Sequence, residues 1–293
     1  MNRYNFALLI SVISVSFASI FILSCKAPPL TIAFYRLLFT SLLLLPLVIL
    51  RGDAREHLRK MSTSAILQIF GVGIVLAAHF AFWISSLYRT SVASSVILVT
   101  SHPIMVAPIS HYVFREKLNG MQVMGIMLSL LGVIILVSGN YGLNDATLEG
   151  NILALLGGIM AGIYILSGRR IRKSIDVIPY AFLVYSVAAI ALFFIALFLK
   201  SPLMTSQRDY GIVMLMALVS GIFGHTLYNW VLKYVPAYLV SVSFLGEPIA
   251  SSFLAFIIPW INQVPSLYTI FGGCLTMAGI YMTARYITVY KGE

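Results

Sequence analysis

In a chain of 293 residues that is 60% hydrophobic and only 10% charged, with mean hydropathy +0.97, water cannot be the main solvent, since soluble domains carry about 25% charged residues. The net charge of +10 and pI near 9.7 do not mark a nucleic-acid binder, because Lys and Arg sit at the ends of apolar runs and do not gather on one face. Cys25 and Cys274 stand alone in or beside apolar segments, which gives neither a disulfide framework nor metal-ligand spacing.

A bilayer core about 30 Å thick needs roughly 20 apolar residues per helical span, and the chain supplies such runs in succession. They fall at 4–24, 30–50, 65–86, 91–113, 121–138, 151–167, 178–199, 210–232, 237–259 and 267–287. The runs are too long for barrel strands and lack two-residue alternation, and a lipid-facing backbone must satisfy its own hydrogen bonds. The expected fold class is therefore all-α, a membrane protein of ten transmembrane helices. Ile22–Cys25 has the look of a lipoprotein cleavage site, but Arg3 alone makes a thin basic leader, and residues 4–24 read as a retained span.

Lys and Arg in alternate loops set the orientation. With the N-terminus inside, the inner set is Arg3, Arg51, Arg55, Arg59, Lys60, Arg115, Lys117, Arg169, Arg170, Arg172, Lys173, Lys233, Arg285 and Lys291; the outer set is Lys26, Arg89, Lys200 and Arg208. Both termini are expected on the cytoplasmic side of the cell membrane. The basic charge is then topological anchoring.

Ten spans divide into five and five, and an odd-numbered unit repeated once must run in opposite orientations. Sparse matches recur at a nearly constant offset. His79 and Tyr88 meet His225 and Tyr234 after 146 residues, Pro103 meets Pro248 after 145, Gly125 and Gly132 meet Gly272 and Gly279 after 147, and Ala33 meets Ala181 after 148. The expected units are 1–143 and 144–293, inverted around a central cavity.

Several stretches carry a family likeness. Ala33–Leu38 reads AFYRLL; Tyr88–Ser95 leads to His102-Pro103 and then to Phe114–Leu118; Leu245–Pro248 reads LGEP. Together they resemble the drug/metabolite transporter superfamily, specifically its EamA-type members, over nearly the whole chain. His102 departs from the family's Glu-Pro pattern in span four, which leaves Glu247-Pro248 as the intact copy. The resemblance implies a ten-helix inverted repeat whose cavity is lined mainly by spans other than five and ten. It also implies movement of amino acids, other metabolites or drugs, commonly outward and often coupled to an ion gradient.

Glu247 lies about eleven residues into span nine, roughly 16 Å deep at about 1.5 Å per residue. A carboxylate at that depth costs on the order of 2.5–3.5 kcal/mol even on lenient scales. It is either a neutral Glu hydrogen-bonded to a neighbouring helix or a proton or cationic-substrate site. Arg36, about six residues from the outer end of span two, either snorkels to the interface or makes structural hydrogen bonds, or it clamps a carboxylate or phosphate from the cavity wall. His102 sits at the depth of Glu247 and lines the cavity or makes interhelical bonds. His79 and His225 favour interhelical hydrogen bonding. Metal binding is not expected, because no His pair has i,i+4 spacing. Trp83, Tyr164, Tyr185, Tyr228, Asn229 and Trp230 are further cavity candidates, with interfacial anchoring as the alternative.

Small residues mark other helix faces. Ser11, Ser14 and Ala18 in span one, and Gly158, Ala161 and Gly162 in span six, suit close packing. Gly125, Ser129 and Gly132, with Gly272, Thr276 and Gly279, suit a scaffold or a homodimer seam. No phosphate-cradling loop, paired Asp motif or His-Glu-x-x-His is present, so neither an ATPase nor an intramembrane enzyme is expected, and no cofactor. The reading is a secondary carrier working by alternating access, with a small-molecule solute, the lipid bilayer and a coupling proton or cation as partners. It exports amino acids or related metabolites; import of an organic solute, or a non-transporting sensor or scaffold, is the alternative.

Overall fold

The computed structural model describes residues 3–90, 92–138, 148–257 and 266–285. Every regular element among them is helical. The first stretch holds α1 (Arg3–Ser24), α2 (Pro29–Leu50), α3 (Gly52–Arg59) and α4 (Thr63–Ser86), followed by α5 (Val92–Thr100), α6 (Pro103–Tyr112) and α7 (Gly120–Ser138). The second holds α8 (Leu148–Ile171), α9 (Val177–Phe198), a rod made of α10 (Gln207–Met216), a π-helical segment (Ala217–Thr226) and α11 (Leu227–Val231), then α12 (Ala237–Ser243), a 3₁₀ turn (Phe244–Gly246), α13 (Glu247–Ile257) and α14 (Leu267–Arg285).

Six of these, α1, α2, α4, α8, α9 and the rod Gln207–Val231, are long and apolar enough to cross a membrane. Large apolar side chains such as Phe6, Phe70, Met127, Ile190, Phe194 and Phe271 stand exposed on outward faces, which suits lipid and not water. The chain is a multi-pass membrane protein.

The element ends follow local chemistry. Pro28 and Pro29 open α2, where a missing N–H is harmless. Ser62 and Ser206 cap α4 and α10 by accepting from the amides of Ala65 and Asp209 at 3.2 and 3.1 Å. The expected spans at 91–113 and 237–259 are each broken, because Pro103 and Pro248 cannot donate to the preceding turn. The first break falls at Ser101–His102, the second in the 3₁₀ turn. Residues 258–259 and 286–287 of the expected last spans, Lys291, and the boundary at 143/144 lie outside the described residues. The short helix α3, in the basic loop after span two, is additional to the expected spans.

Helix α2 packs on α9, α7 on α14, α4 on α8 and α9, α5 on α8, and α1 on the rod and α13. Two of these seams are close. The hydroxyls of Ser41 and Ser186 meet at 2.6 Å between α2 and α9. Between α7 and α14, Ser129 Oγ donates to Thr276 O at 3.2 Å, and a Cβ at Gly125 or Gly132 would stand 2.7 Å from the carbonyl of Gly279 or Gly272. These small residues thus let two helices of the same chain touch backbone to backbone. The reading of this face as a homodimer seam is corrected: the chain's own partner helix fills it.

Candidate functional site

The breaks and the helix pairings leave a cavity between α1, α2, α4, α5, α8, the rod and α13. Space for water-sized centres amounts to about 50 Å³ within about 500 Å³ not filled by atoms. Eight expected residues line it: Arg36, His79, Trp83, His102, Tyr164, His225, Tyr228 and Glu247.

Arg36 reaches it from α2. It is 1% exposed, with its guanidinium 4.3 Å from the Phe80 ring centroid and 5.8 Å from that of Trp83. Snorkelling to the interface is thereby overturned, because the charge rests on aromatic faces inside the protein. Its Nη1 and Nη2, and Trp83 Nε1, have no hydrogen-bond partner among the described residues. Three donors facing no acceptor suit a ligand oxyanion, since an unpaired buried donor costs about 1–3 kcal/mol.

The histidines tie the wall together. His79 Nδ1–H donates to Gly157 O at 2.9 Å, joining α4 to α8, and its ring stacks on Trp83. His102, at the first helix break, meets Ser241 Oγ at 2.6 Å and so joins α5–α6 to α12. His225, near the end of the π-helical segment, lies 3.3 Å from Tyr228 Oη and packs on Phe80. Expectation and structure agree on interhelical bonding for His79. For His225 the hydrogen bond stays within one rod.

Glu247 is the first residue of α13 and 7% exposed. That position places a carboxylate where the helix dipole favours negative charge. Among the described residues it forms no direct ion pair with Arg36, although both line the same space.

Tyr185 and Asn229 stand behind the wall. Asn229 Nδ2 donates to Tyr164 Oη at 2.8 Å and to His225 O at 2.6 Å, and Tyr185 Oη meets Thr226 Oγ1 at 3.1 Å. They position lining residues. Trp230 lies elsewhere: it packs against Tyr4 and Tyr234 and borders a separate basin. Its ring follows Asn229 on the rod but points away from the cavity, so the cavity placement does not hold for it.

Sequence reasoning missed Val15, Val99, Ile165 and Phe244 in the lining; apolar residues in apolar runs carry no signal there. It also missed a buried ion pair. Arg115 adopts φ 57°, and the turn it makes delivers Glu116 to Arg169, Nε to Oε1 at 2.6 Å, with both side chains at most 3% exposed. Glu116 Oε2 also accepts from Ala237 N at 2.9 Å, and Arg169 Nη1 donates to the carbonyls of Leu232 and Lys233. The signal was the Arg115-Glu116 pattern, read only as a family mark.

The profile of the EamA-like transporter family matches this chain twice, at residues 2–138 and 148–285. An uncharacterized transporter of Archaeoglobus fulgidus is 24% identical over 261 residues, covering 87% of each chain. The uncharacterized transporter YyaM of Bacillus subtilis is 23% identical over 262 residues, covering 86% of this chain and 84% of its own. A solved crystal structure superposes with a TM-score of 0.77 at 16% identity, covering 96% of this chain and 97% of that one, a likeness of fold.

Proposed function

The chain belongs to the EamA-like transporter family, and from that premise we propose a secondary active transporter of small organic solutes that works by alternating access. It exports amino acids or related metabolites across the cytoplasmic membrane, with both termini inside. The observation that carries this reading is the convergence of Arg36, Glu247 and three histidines from both halves on one cavity. A guanidinium and a carboxyl group held apart in a low-dielectric chamber suit a solute carrying both an anionic and a cationic group.

Ten spans in two inverted quintets follow when α5–α6 and α12–α13 are each counted as one broken span. The double family match supports this. So do the seams. Ser129 and Thr276 are 147 residues apart, the offset between α7 and α14, and this pair touches itself. The Gly125–Gly279 approach exchanges into Gly272–Gly132 under the same offset. Contact between equivalent residues suits a two-fold axis between the two units. Rocking of the two units about that axis exposes the cavity to each side in turn.

Glu247 is assigned the coupling proton or the cationic end of the solute, and Arg36 the anionic end. The test is purified protein in proteoliposomes, with solutes chosen from a thermal-stabilisation panel of amino acids, nucleobases, sugars and amphiphilic drugs. Saturable, gradient-driven flux is expected, with the amino acids among the stabilisers. Absence of saturable flux for every stabilising compound would leave a sensor or scaffold instead. Glu247→Gln is expected to abolish the response to a proton gradient; normal coupled flux in that variant removes Glu247 from the coupling role.

A further inference from the structure

A second polar space lies at the end of the bundle where α2 turns into α3 and α8 turns into α9. It offers about 160 Å³ to water-sized centres. Its walls include Asp53 and Ala54 from the first turn of α3, and Val177, Ile178 and Pro179 from the first turn of α9. Neither helix has a side-chain cap: the N-cap residues Arg51 and Asp176 make no capping hydrogen bond. Two helix N-termini with amides left without caps therefore border one basin, the arrangement that binds phosphate and other oxyanions.

An independent observation points to the same ligand. Arg172 lines the basin, is 1% exposed, and holds its fork in place by donating from Nε to Asn229 O at 3.0 Å. Its Nη1 has no hydrogen-bond partner among the described residues. A buried guanidinium nitrogen without an acceptor is costly, and a phosphate oxygen satisfies it. Arg51 adds a second, exposed cation to the wall.

Two carboxylates share the basin. Asp176 is taken by Lys233 at 3.2 Å and His57 at 3.7 Å. Partial burial opposes its ionisation, but the hydrogen bond from Lys233 and the charges of Lys233, His57 and Arg172 hold its pKa below the ordinary carboxylate value. Its charge is thus already matched. Asp53 is exposed on the first turn of α3.

The surroundings select a lipid source. Ile49 and Leu50, the last residues of α2, are exposed beside the basin, and offer an apolar strip for acyl chains. Trp230 and Tyr234 border the opposite side, packed on Tyr4, as aromatic residues do at headgroup level. We propose that this basin binds a phosphate group, supplied by the headgroup of an anionic phospholipid and held by Arg172, Arg51 and the first-turn amides of α3 and α9. Basic pockets between spans at an anionic leaflet have this character. The proposal is independent of the transport reading and concerns the chain's lipid shell.

The test uses the full chain in detergent, with native mass spectrometry and thermal unfolding in the presence of phosphatidylglycerol, phosphatidylcholine or inorganic phosphate. Phosphatidylglycerol is expected to stay bound and to raise Tm by several degrees over phosphatidylcholine. Arg51→Gln, an exposed change, is expected to weaken its binding about tenfold, and Arg172→Gln to abolish it. Stabilisation by inorganic phosphate alone, lost in both variants, keeps the phosphate site and replaces the lipid by a soluble source. Equal retention of the two lipids with no phosphate effect, or binding unchanged in Arg51→Gln and Arg172→Gln, overturns it. If Arg172→Gln does not fold, Arg172→Lys, which keeps the charge and loses the planar fork, takes its place and is expected to bind at least tenfold more weakly.

Discussion

Arg36 and Cys25 behave in opposite ways to what their chemistry suggests at first sight. A guanidinium stacked over Phe80 and Trp83 with two terminal nitrogens unengaged is an offer of two parallel hydrogen bonds, which an ammonium cannot reproduce. Arg36→Lys is accordingly expected to fold normally but to lower kcat/KM for any transported carboxylate at least tenfold, about 1.4 kcal/mol. Retained flux in that variant would return Arg36 to a purely structural role. Cys25, between α1 and α2, is buried, and burial followed by the nearby Asp209 charge pushes its thiol up to about 12. It is expected to resist hydrophilic maleimides at pH 8 in folded protein and to react only on denaturation. Asp176 gives a pH signature. Its folded pKa is depressed, so the stability it contributes is complete above the unfolded value of about 3.9 and is lost as pH falls through the lower folded value. Thermal melts of the wild type should fall more than those of Asp176→Asn between pH 5 and pH 3, and high salt should shrink the difference, because the group is half exposed.

At the scale of elements, the seams explain which substitutions the protein tolerates. A methyl group at Gly279 would press on the backbone of Gly125 and Ser129, and neither can retreat without parting α7 from α14. Gly279→Ala is expected to destabilise by roughly 1–3 kcal/mol, measured by thermal or chemical unfolding in detergent, whereas an alanine at Gly71, with open space around it, should be near neutral. The Glu116–Arg169 pair joins the turn after α6 to the last turn of α8, and Glu116 Oε2 adds the start of α12 by accepting from Ala237 N. Removing Glu116 leaves a buried cation, a loss of roughly 3–5 kcal/mol. How much of this was legible varies with the physics of each element. The apolar runs at 4–24, 30–50 and 178–199 reappear within a residue or two as α1, α2 and α9, and α2 carries Pro46 near its end without being broken. The runs at 91–113 and 237–259 were drawn through Pro103 and Pro248, although the lack of a proline N–H is where the breaks arise. The π-helical stretch Ala217–Thr226 has no pattern in the residues that separates it from α-helix.

On the scale of the whole molecule, the cavity was legible wherever a polar group sat in an apolar run, since such a group must find a partner or a function. Arg36, His102 and Glu247 meet that test. Asn229 and Tyr185 did too, but they serve from behind the wall, and Trp230 turned outward; depth along a helix can be counted, whereas azimuth depends on packing that residues at a distance decide. Arg172 was counted only as a topological charge, because its burial comes from the way α8 and the rod meet.

The self-touching pair Ser129 and Thr276 has a practical corollary. On the proposed two-fold reading each half offers the other the same face, so the recognition needed for assembly is stored twice and does not depend on the peptide link between residues 138 and 148. Two polypeptides ending and starting there, made in one cell, should find each other and co-purify. Ser129→Phe alone should scatter them, because one bulky ring at that buried point of contact keeps α7 and α14 apart.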